Sequence, residues 1–340
     1  MIHNVFNLLE SARPWRHLTE DCADAVHYEV RAKDGLRLHL RRVRPPQFGQ
    51  TGATVMLLHG LGSNHQGFHL PGRSLAKWLA ERGHDVWMPE LRGHGSSQTR
   101  RYDWCLDEYL EYDLPAILGA IRRFGATDEI HWVGHSMGGI LLMSYGILNP
   151  EAPIARGMAV GSALDYSVGE TDFAQLLVLR PLLERLVAVP YGSLVHLLAP
   201  VMGGGALEAV ERFNVWPTNV EPEIVQQLHA RCFHTIPISL LSNLATTFEP
   251  CGLCLRSGFP IRDNAERFPF PIKLIAGSRD AQVAVEAVEY TAEIIGGNAD
   301  LVVCGPGGGC EDHYGHWDLL VGRSARHEVW PLVAEWIEEG

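Results

Sequence analysis

The chain has 340 residues, of which 46% are hydrophobic and 20% charged, so its composition is that of a folded globular protein rather than a disordered one. This length allows one large core, or one core with a smaller insertion. The formal net charge is −12 and no run of Lys or Arg forms a basic patch, which argues against a nucleic-acid-binding surface. Composition therefore favours neutral or apolar ligands.

Targeting and metal-binding patterns are weak in this sequence. Residues 1–20 lack the basic start and apolar segment of a secretory signal, and no stretch of about 20 apolar residues indicates a membrane span. Seven scattered cysteines do not resemble a disulfide framework, and the CxxC pair of Cys251 and Cys254 has no second pair or histidine pair to complete a zinc site. We therefore predict a cytoplasmic protein with no membrane segment, no metal and no cofactor.

The first predicted elements alternate between strands and helices. Residues 27–32 and 36–43 flank an Asp-Gly turn and predict an antiparallel hairpin at a sheet edge. Residues 53–58 are continuously apolar, which is typical of a strand buried on both faces. Helical spacing predicts a crossover helix over 70–82, a strand follows at 85–89, and residues 106–124 predict a helix that Pro115 breaks or kinks.

The next strand, residues 130–133, leads into Gly134-His135-Ser136-Met137-Gly138, a G-x-S-x-G motif followed by an apolar helical pattern. A serine at such a strand-to-helix turn is exposed at the sheet edge, and only small flanking residues allow the close backbone approach. The motif predicts Ser136 as a nucleophile. The N–H of Met137 is expected to face a developing oxyanion at the helix N-terminus.

With these motifs, the chain resembles the α/β-hydrolase family from about residue 28 to the C-terminus. Its N-terminal half is similar to the lipase branch related to acid and gastric lipases. That similarity is carried by His59-Gly60-Leu61-Gly62-Ser63, by VWMPELRGHG at residues 86–95, and by residues 106–108 and 112–116. The resemblance implies a mostly parallel sheet flanked by helices, and a triad of Ser, acid and His in that chain order.

The resemblance also implies roles in the loop after the first buried strand. Leu61 is expected to supply the second oxyanion N–H, and His59 to brace the loop rather than act as a base. Together with His135, His59 and Gly60 are expected to lie at the substrate. Glu90 stands where the family usually has Asp, which is a mild departure from its pattern.

The strand–helix alternation is lost between residues 161 and 268, where prolines separate short apolar helical stretches over 176–189, 193–202, 222–236 and 238–248. Within a hydrolase sheet, such an insertion before the next strand is a cap. The predicted organisation is therefore a core of residues 1–160 and 269–340, with a helical cap of residues 161–268 inserted before the strand that precedes the triad acid.

The remaining triad members are sought after the cap. Asp280 follows a predicted strand at 271–276 and is the expected acid, with a helix N-cap as the alternative. After a last strand at 300–304, His316 lies in a loop that resembles the family's histidine loop, and His313 is the alternative base. Asp318 is expected to cap the following turn, and residues 324–338 predict the closing helix.

Together these features predict a serine hydrolase that cleaves carboxylic esters through an acyl-enzyme on Ser136, with a small, apolar acyl ester as substrate. An acyltransferase or a thioesterase with the same triad remains open, because fold and triad do not define the second substrate. A non-catalytic binding protein on the same scaffold is the alternative from a different class.

Overall fold

The computed structural model describes residues 25–46, 52–176 and 185–339. Residues 1–24 therefore lie outside the described part of the chain. Within that part, no helix is both long enough and apolar enough to cross a bilayer.

A central eight-stranded sheet organises the described residues. Its strands are β1 (Val26–Arg31), β2 (Arg37–Val43), β3 (Thr54–Leu58), β4 (Asp85–Glu90), β5 (Ile130–His135), β6 (Ile154–Val160), β9 (Ile272–Gly277) and β10 (Ala299–Cys304), in the order β1-β2-β4-β3-β5-β6-β9-β10. The strands from β4 to β10 in that order run parallel, whereas β1 and β2 form an antiparallel hairpin at one edge. The fold is that of an α/β-hydrolase.

Helices cover both faces of the sheet. On one face lie α1 (Leu75–Glu81), the short α10 (Asp318–Val321) and α11 (Ala325–Glu338); on the other lie α2 (Leu114–Phe124), α3 (Met137–Leu148) and α9 (Val285–Ile295). Because side chains alternate along a strand, Met56 and Leu58 of β3 join one core cluster while Val55 and Leu57 join the other. The prediction of a strand buried on both faces is confirmed.

Several predicted boundaries were wrong for local reasons. The first crossover helix begins only at Leu75, because the Ser74 hydroxyl accepts a hydrogen bond from Lys77 N–H and ends the preceding loop as an N-cap. The predicted helix over 106–124 is interrupted by a π-helical segment, Tyr109–Asp113, and Pro115 lies in the first turn of α2, where its missing N–H costs little. No helix was predicted where α9 lies.

Between β6 and β9 the chain leaves the sheet. This segment contains α4 (Asp172–Leu176), the short pair β7 (Ala188–Val189) and β8 (Ile236–Pro237), and the helices α5 (Tyr191–Leu198), α6 (Glu208–Asn214), α7 (Pro222–Arg231) and α8 (Ile238–Ala245). The helices predicted over 176–189 and 222–236 were therefore too long, because their last residues pair as β7 and β8. Part of the first, residues 177–184, lies outside the described residues.

Candidate active site

Ser136 occupies the turn between β5 and α3. Its backbone angles are φ 54° and ψ −124°, and it is the one residue other than glycine with positive φ in the described part of the chain. Packing holds this costly conformation: a Cβ built on Gly138 would lie 2.2 Å from the carbonyl oxygen of Leu58. The Ser162 hydroxyl also donates to the carbonyl oxygen of Ser136 at 2.6 Å. The turn is thus fixed from both neighbouring strands.

The loop after β3 lies against this serine. A Cβ added to Gly60 would be 2.8 Å from Ser136 Cβ, so only glycine allows this approach. Leu61, Met137 and Ser136 line one cavity. Among the described residues, no carbonyl accepts a hydrogen bond from the N–H of Leu61 or of Met137. Two unbonded N–H groups beside a serine hydroxyl suit the binding of a negatively charged oxygen.

Asp280 and His316 form a buried pair. The Asp280 Oδ2 atom accepts from His316 Nδ1 at 2.8 Å, and the side chains are 1% and 2% exposed. The other carboxylate oxygen accepts from the N–H groups of Gln282 and Val283 at 2.8 and 3.0 Å. Because α9 begins after Ala284, Asp280 is not the cap of that helix. A carboxylate bonded in this way orients the imidazole ring and leaves its Nε2 for other partners.

The alternative histidine has different contacts. His313 Nδ1 lies 3.0 Å from the Ser278 hydroxyl, and its ring packs edge-on against Trp216. The structure therefore brings His316, and not His313, to Asp280. The loop that carries His316 is held by His135, whose Nε2 donates to the carbonyl oxygen of His316 at 3.0 Å.

His59 and His135 are buried beneath the site rather than exposed in it. His59 Nε2 accepts from Leu91 N–H at 3.1 Å, so its Nδ1 carries the proton and donates to the carbonyl oxygen of Gly60 at 3.0 Å. Burial lowers the pKa of His59 to about 4 and holds that of His135 well below its ordinary value, so both rings are neutral near pH 7. Neither ring lines the cavity beside Ser136.

Glu90, the departure from the family pattern, forms a buried ion pair with His65 at the end of β4. Its Oε1 lies 2.5 Å from His65 Nδ1, and its Oε2 accepts from Ser96 N–H at 2.7 Å. Burial alone would raise the pKa of Glu90, but the charge and hydrogen bond of His65 outweigh it and lower the pKa to about 2. The carboxylate is thus ionised and fixes the loop between β4 and the site.

The sequence prediction for Asp318 was wrong, because it does not cap the next turn. Asp318 is the first residue of the short helix Asp318–Val321. The N-cap of this helix is Trp317, which makes no side-chain capping hydrogen bond. Asp318 instead accepts from Gly315 N–H at 2.8 Å and from Trp216 N–H, in the segment between β6 and β9, at 3.1 Å. Nothing local in the sequence signals a contact with a residue 102 positions away.

The cavity beside Ser136 draws its walls from the sheet region and from the segment between β6 and β9. Most of its lining is apolar and aromatic: Leu61, Ser136, Met137, Ile140, Tyr166, Phe173, Leu244, Thr247, Phe248, Gln282 and Val283. No charged side chain is among these described lining residues. The helical spacing of apolar residues in that segment does not separate those of its own core from those that line the cavity.

Comparisons with known proteins agree with this geometry. A family model described as serine aminopeptidase, S33, matches residues 49–306, which is more than half of the chain. Lipase member K of Homo sapiens is 34% identical over 184 residues, covering 49% of this chain and 45% of that protein. Lipase lipl-1 of Caenorhabditis elegans is 31% identical over 139 residues, covering 35% and 34%. The chain thus spans less than half the length of these relatives.

Among solved structures, a thermophilic esterase from Thermogutta terrifontis superimposes with a TM-score of 0.63 at 18% identity, covering 93% of this chain and 99% of that one. This likeness supports the fold. Together with the family match over the strands and the serine turn, it shows that the chain belongs to the serine aminopeptidase S33 family of α/β-hydrolases.

Proposed function

We propose that the protein is a serine esterase that cleaves carboxylic esters through an acyl-enzyme on Ser136. The observation that carries the proposal is the buried Asp280–His316 pair, on loops at the same sheet edge as a serine held at positive φ. A Cβ built on Gly161, beside the serine turn, would lie 3.2 Å from both Asp280 Oδ2 and His316 Nδ1. Ser136 N–H in turn donates to the carbonyl oxygen of Val160, next to Gly161, and this proximity of the acid and the base to the serine turn supports the proposal.

In the proposed reaction, His316 Nε2 removes the Ser136 proton as the hydroxyl oxygen attacks the ester carbonyl. Asp280 keeps the His316 Nδ1 proton in place and stabilises the imidazolium. The N–H groups of Leu61 and Met137 bind the oxyanion. The imidazolium then protonates the leaving alcohol, and a water molecule, activated by the same histidine, hydrolyses the acyl-enzyme.

The cavity favours an uncharged acyl group over the free amino group of a peptide. Its described lining residues are apolar or neutral, and a buried ammonium group would need a carboxylate partner that they do not supply. The relatives named as lipases point in the same direction. We propose that the segment between β6 and β9 acts as a cap, residues 161–268, which covers this cavity.

The first experiment compares wild type with Ser136→Ala on p-nitrophenyl esters of increasing acyl length. Loss of the nucleophile is expected to lower kcat by about four to six orders of magnitude. Ser144→Ala is the matched control, because Ser144 lies buried on α3 and its hydroxyl has no hydrogen-bond partner among the described residues. That variant is expected to retain wild-type activity.

The other outcomes separate the alternatives. Labelling of Ser136 by an alkyl fluorophosphonate without turnover of any ester would point to an acyltransferase or thioesterase, to be tested with acyl thioesters and acceptor alcohols. Folded protein that neither turns over esters nor reacts with the phosphonate would refute the enzymatic proposal and favour a binding protein.

A further inference from the structure

One stretch of the proposed cap, residues 213–219, contacts the acid loop and the histidine loop together; we call it the clamp segment. On the acid side, Gln282 Nε2 donates to the carbonyl oxygen of Phe213 at 3.0 Å, while Gln282 N–H donates to Asp280. On the histidine side, Trp317 N–H donates to the carbonyl oxygen of Asn214 at 2.8 Å. Both loops that carry the proposed acid and base are therefore tied to the same seven-residue stretch.

Asp318 is the buried anchor on the histidine side. Its Oδ2 accepts from Gly315 N–H, in the residue next to His316, and its Oδ1 accepts from Trp216 N–H in the clamp segment. The side chain is fully buried, and no cationic side chain among the described residues forms an ion pair with it. A carboxylate surrounded by N–H donors is a costly arrangement to bury, so its hydrogen bonds determine where the loop lies.

Asn219 joins the two ends of the histidine loop. Its Nδ2 lies 3.1 Å from the carbonyl oxygen of His313 and 3.3 Å from Asp318 Oδ2, and the residue is 3% exposed. Its own carbonyl oxygen accepts from Arg323 N–H at 2.7 Å, beyond the loop. A single cap side chain thus bridges residues on both sides of His316.

Gly315 shows how tightly the loop and the clamp segment fit. A Cβ added there would lie 2.7 Å from Trp216 N and 2.9 Å from Asp318 Oδ1. Either contact is too short, so any side chain at this position would push the histidine loop away from the clamp segment. This gives a way to move the loop without removing a charge or a hydrogen-bonding group.

We propose that Asp318 and Asn219 are positioning residues, which hold His316 at the productive distance from Ser136 by joining the histidine loop to the cap. The cap is then part of the machinery that orients the base, in addition to covering the cavity. This inference rests on the proposed function, because His316 must be the base. Neither residue lines the cavity beside Ser136, so substrate contacts do not account for their role.

The test uses three variants that disturb the clamp in different ways: Asn219→Ala, Asp318→Asn and Gly315→Ala. The full-length proteins are titrated with a fluorophosphonate to count reactive Ser136, and kcat is then expressed per titrated site. Each variant is expected to lose about 10- to 100-fold in kcat per titrated site, with KM within about twofold of wild type, because misplacement of a base affects the chemical step.

Asp312→Asn is the matched control. Asp312 is on the same loop, but it is exposed and accepts a hydrogen bond from the Ser324 hydroxyl rather than from the clamp segment. Its kcat per titrated site is expected to equal that of wild type. This comparison removes the general effect of taking a carboxylate from the loop.

A merely structural role has a different signature. It would lower the fraction of titratable sites and the Tm of the variants while leaving kcat per titrated site unchanged, and that result would overturn the proposal. A loss that appeared only in KM would overturn it as well. Failure of the proposed function is distinguishable, because wild type itself would then neither react with the phosphonate nor hydrolyse esters.

Discussion

At the scale of single residues, the serine turn depends on glycines that let two backbones touch. Gly138 is the second residue of α3 and lies against the end of β3, where a Cβ would meet the carbonyl oxygens of Leu58 and His59 at 2.2 and 2.9 Å. Backbone atoms cannot rotate away as the end of a side chain can, so the turn must shift as a whole. The glycine is thus required by the contact between α3 and the end of β3, and not by helix propensity.

We therefore predict opposite effects of the same substitution in two helices. Gly138→Ala is expected to reduce the free energy of unfolding by about 2 to 4 kcal/mol through overpacking, and to displace Ser136. Gly119→Ala, on α2, meets no atom within 4 Å and is expected to stabilise the protein by about 0.5 to 1 kcal/mol through helix propensity. Urea unfolding of both variants measures the difference; equal effects would contradict the packing explanation.

At the scale of elements, α8 contributes to both core and cavity. Leu240 and Leu244 lie one turn apart on this helix, both buried, but only Leu244 is among the residues that line the cavity beside Ser136. Beyond it, Phe248 stacks on Phe173, with ring centroids 5.7 Å apart. The helix thus positions the wall that an acyl chain would meet.

Replacing a cavity-lining side chain of α8 with a smaller one is expected to change the acyl-length preference. Leu244→Ala enlarges the cavity, so kcat/KM should shift towards longer p-nitrophenyl esters by about tenfold relative to short ones, because about two methylene groups find new space. Leu240→Ala is the matched control, since it removes the same atoms from the same helix away from the cavity. It should lower Tm without changing the profile, and a shift in both variants would contradict the assignment.

At the scale of the whole molecule, buried neutral histidines make the fold sensitive to acid. Burial lowers the pKa of His59, of His131 and of His229 to about 4. An unfolded chain has histidines with ordinary pKa values near 6.5, so it takes up protons first as the pH falls. Each of these residues therefore contributes stability that is present above about pH 6.5 and is lost as the pH falls towards 4.

Two buried carboxylates act in the opposite sense. Burial raises the pKa of Asp113 to about 6 and that of Asp318 to about 7, so the folded state binds their protons first and they favour the fold as the pH falls. The histidines are more numerous among the described residues, and the Glu90 carboxylate, whose pKa is lowered to about 2, adds further acid sensitivity. We expect a net decrease in stability below about pH 6.5.

Replacing one histidine tests this balance. His131→Gln should reduce the slope of unfolding free energy against pH between about 6.5 and 4 by about 1.4 kcal/mol per pH unit, the value for one proton. Urea unfolding at several pH values measures the slope. An unchanged slope in His131→Gln would contradict the prediction, because it would mean that this ring takes up its proton at the same pH in the folded and the unfolded chain.

The sequence by itself indicated most of the sheet strands and the position of Ser136 at a strand-to-helix turn, because strand burial, helix spacing and glycine turns leave local patterns, whereas the fold class followed from the resemblance to α/β-hydrolases. It also indicated Asp280, through its place after a parallel strand. The sequence predicted the helix boundaries between β6 and β9 less accurately, because the prolines and short apolar stretches there allow more than one division into helices.

Only the tertiary structure decided which of two nearby histidines contacts Asp280, and how Asp318 is used. His316 and His313 are three residues apart in one glycine-rich loop, so the preference for His316 in the sequence depended only on its resemblance to the family's histidine loop. The clamp segment, about 100 positions earlier in the chain, contacts the loop on both sides of His316: Trp216 N–H donates to Asp318, and Asn219 Nδ2 donates to the carbonyl oxygen of His313. Such contacts depend on how distant segments pack, and packing has no periodicity that a sequence could display.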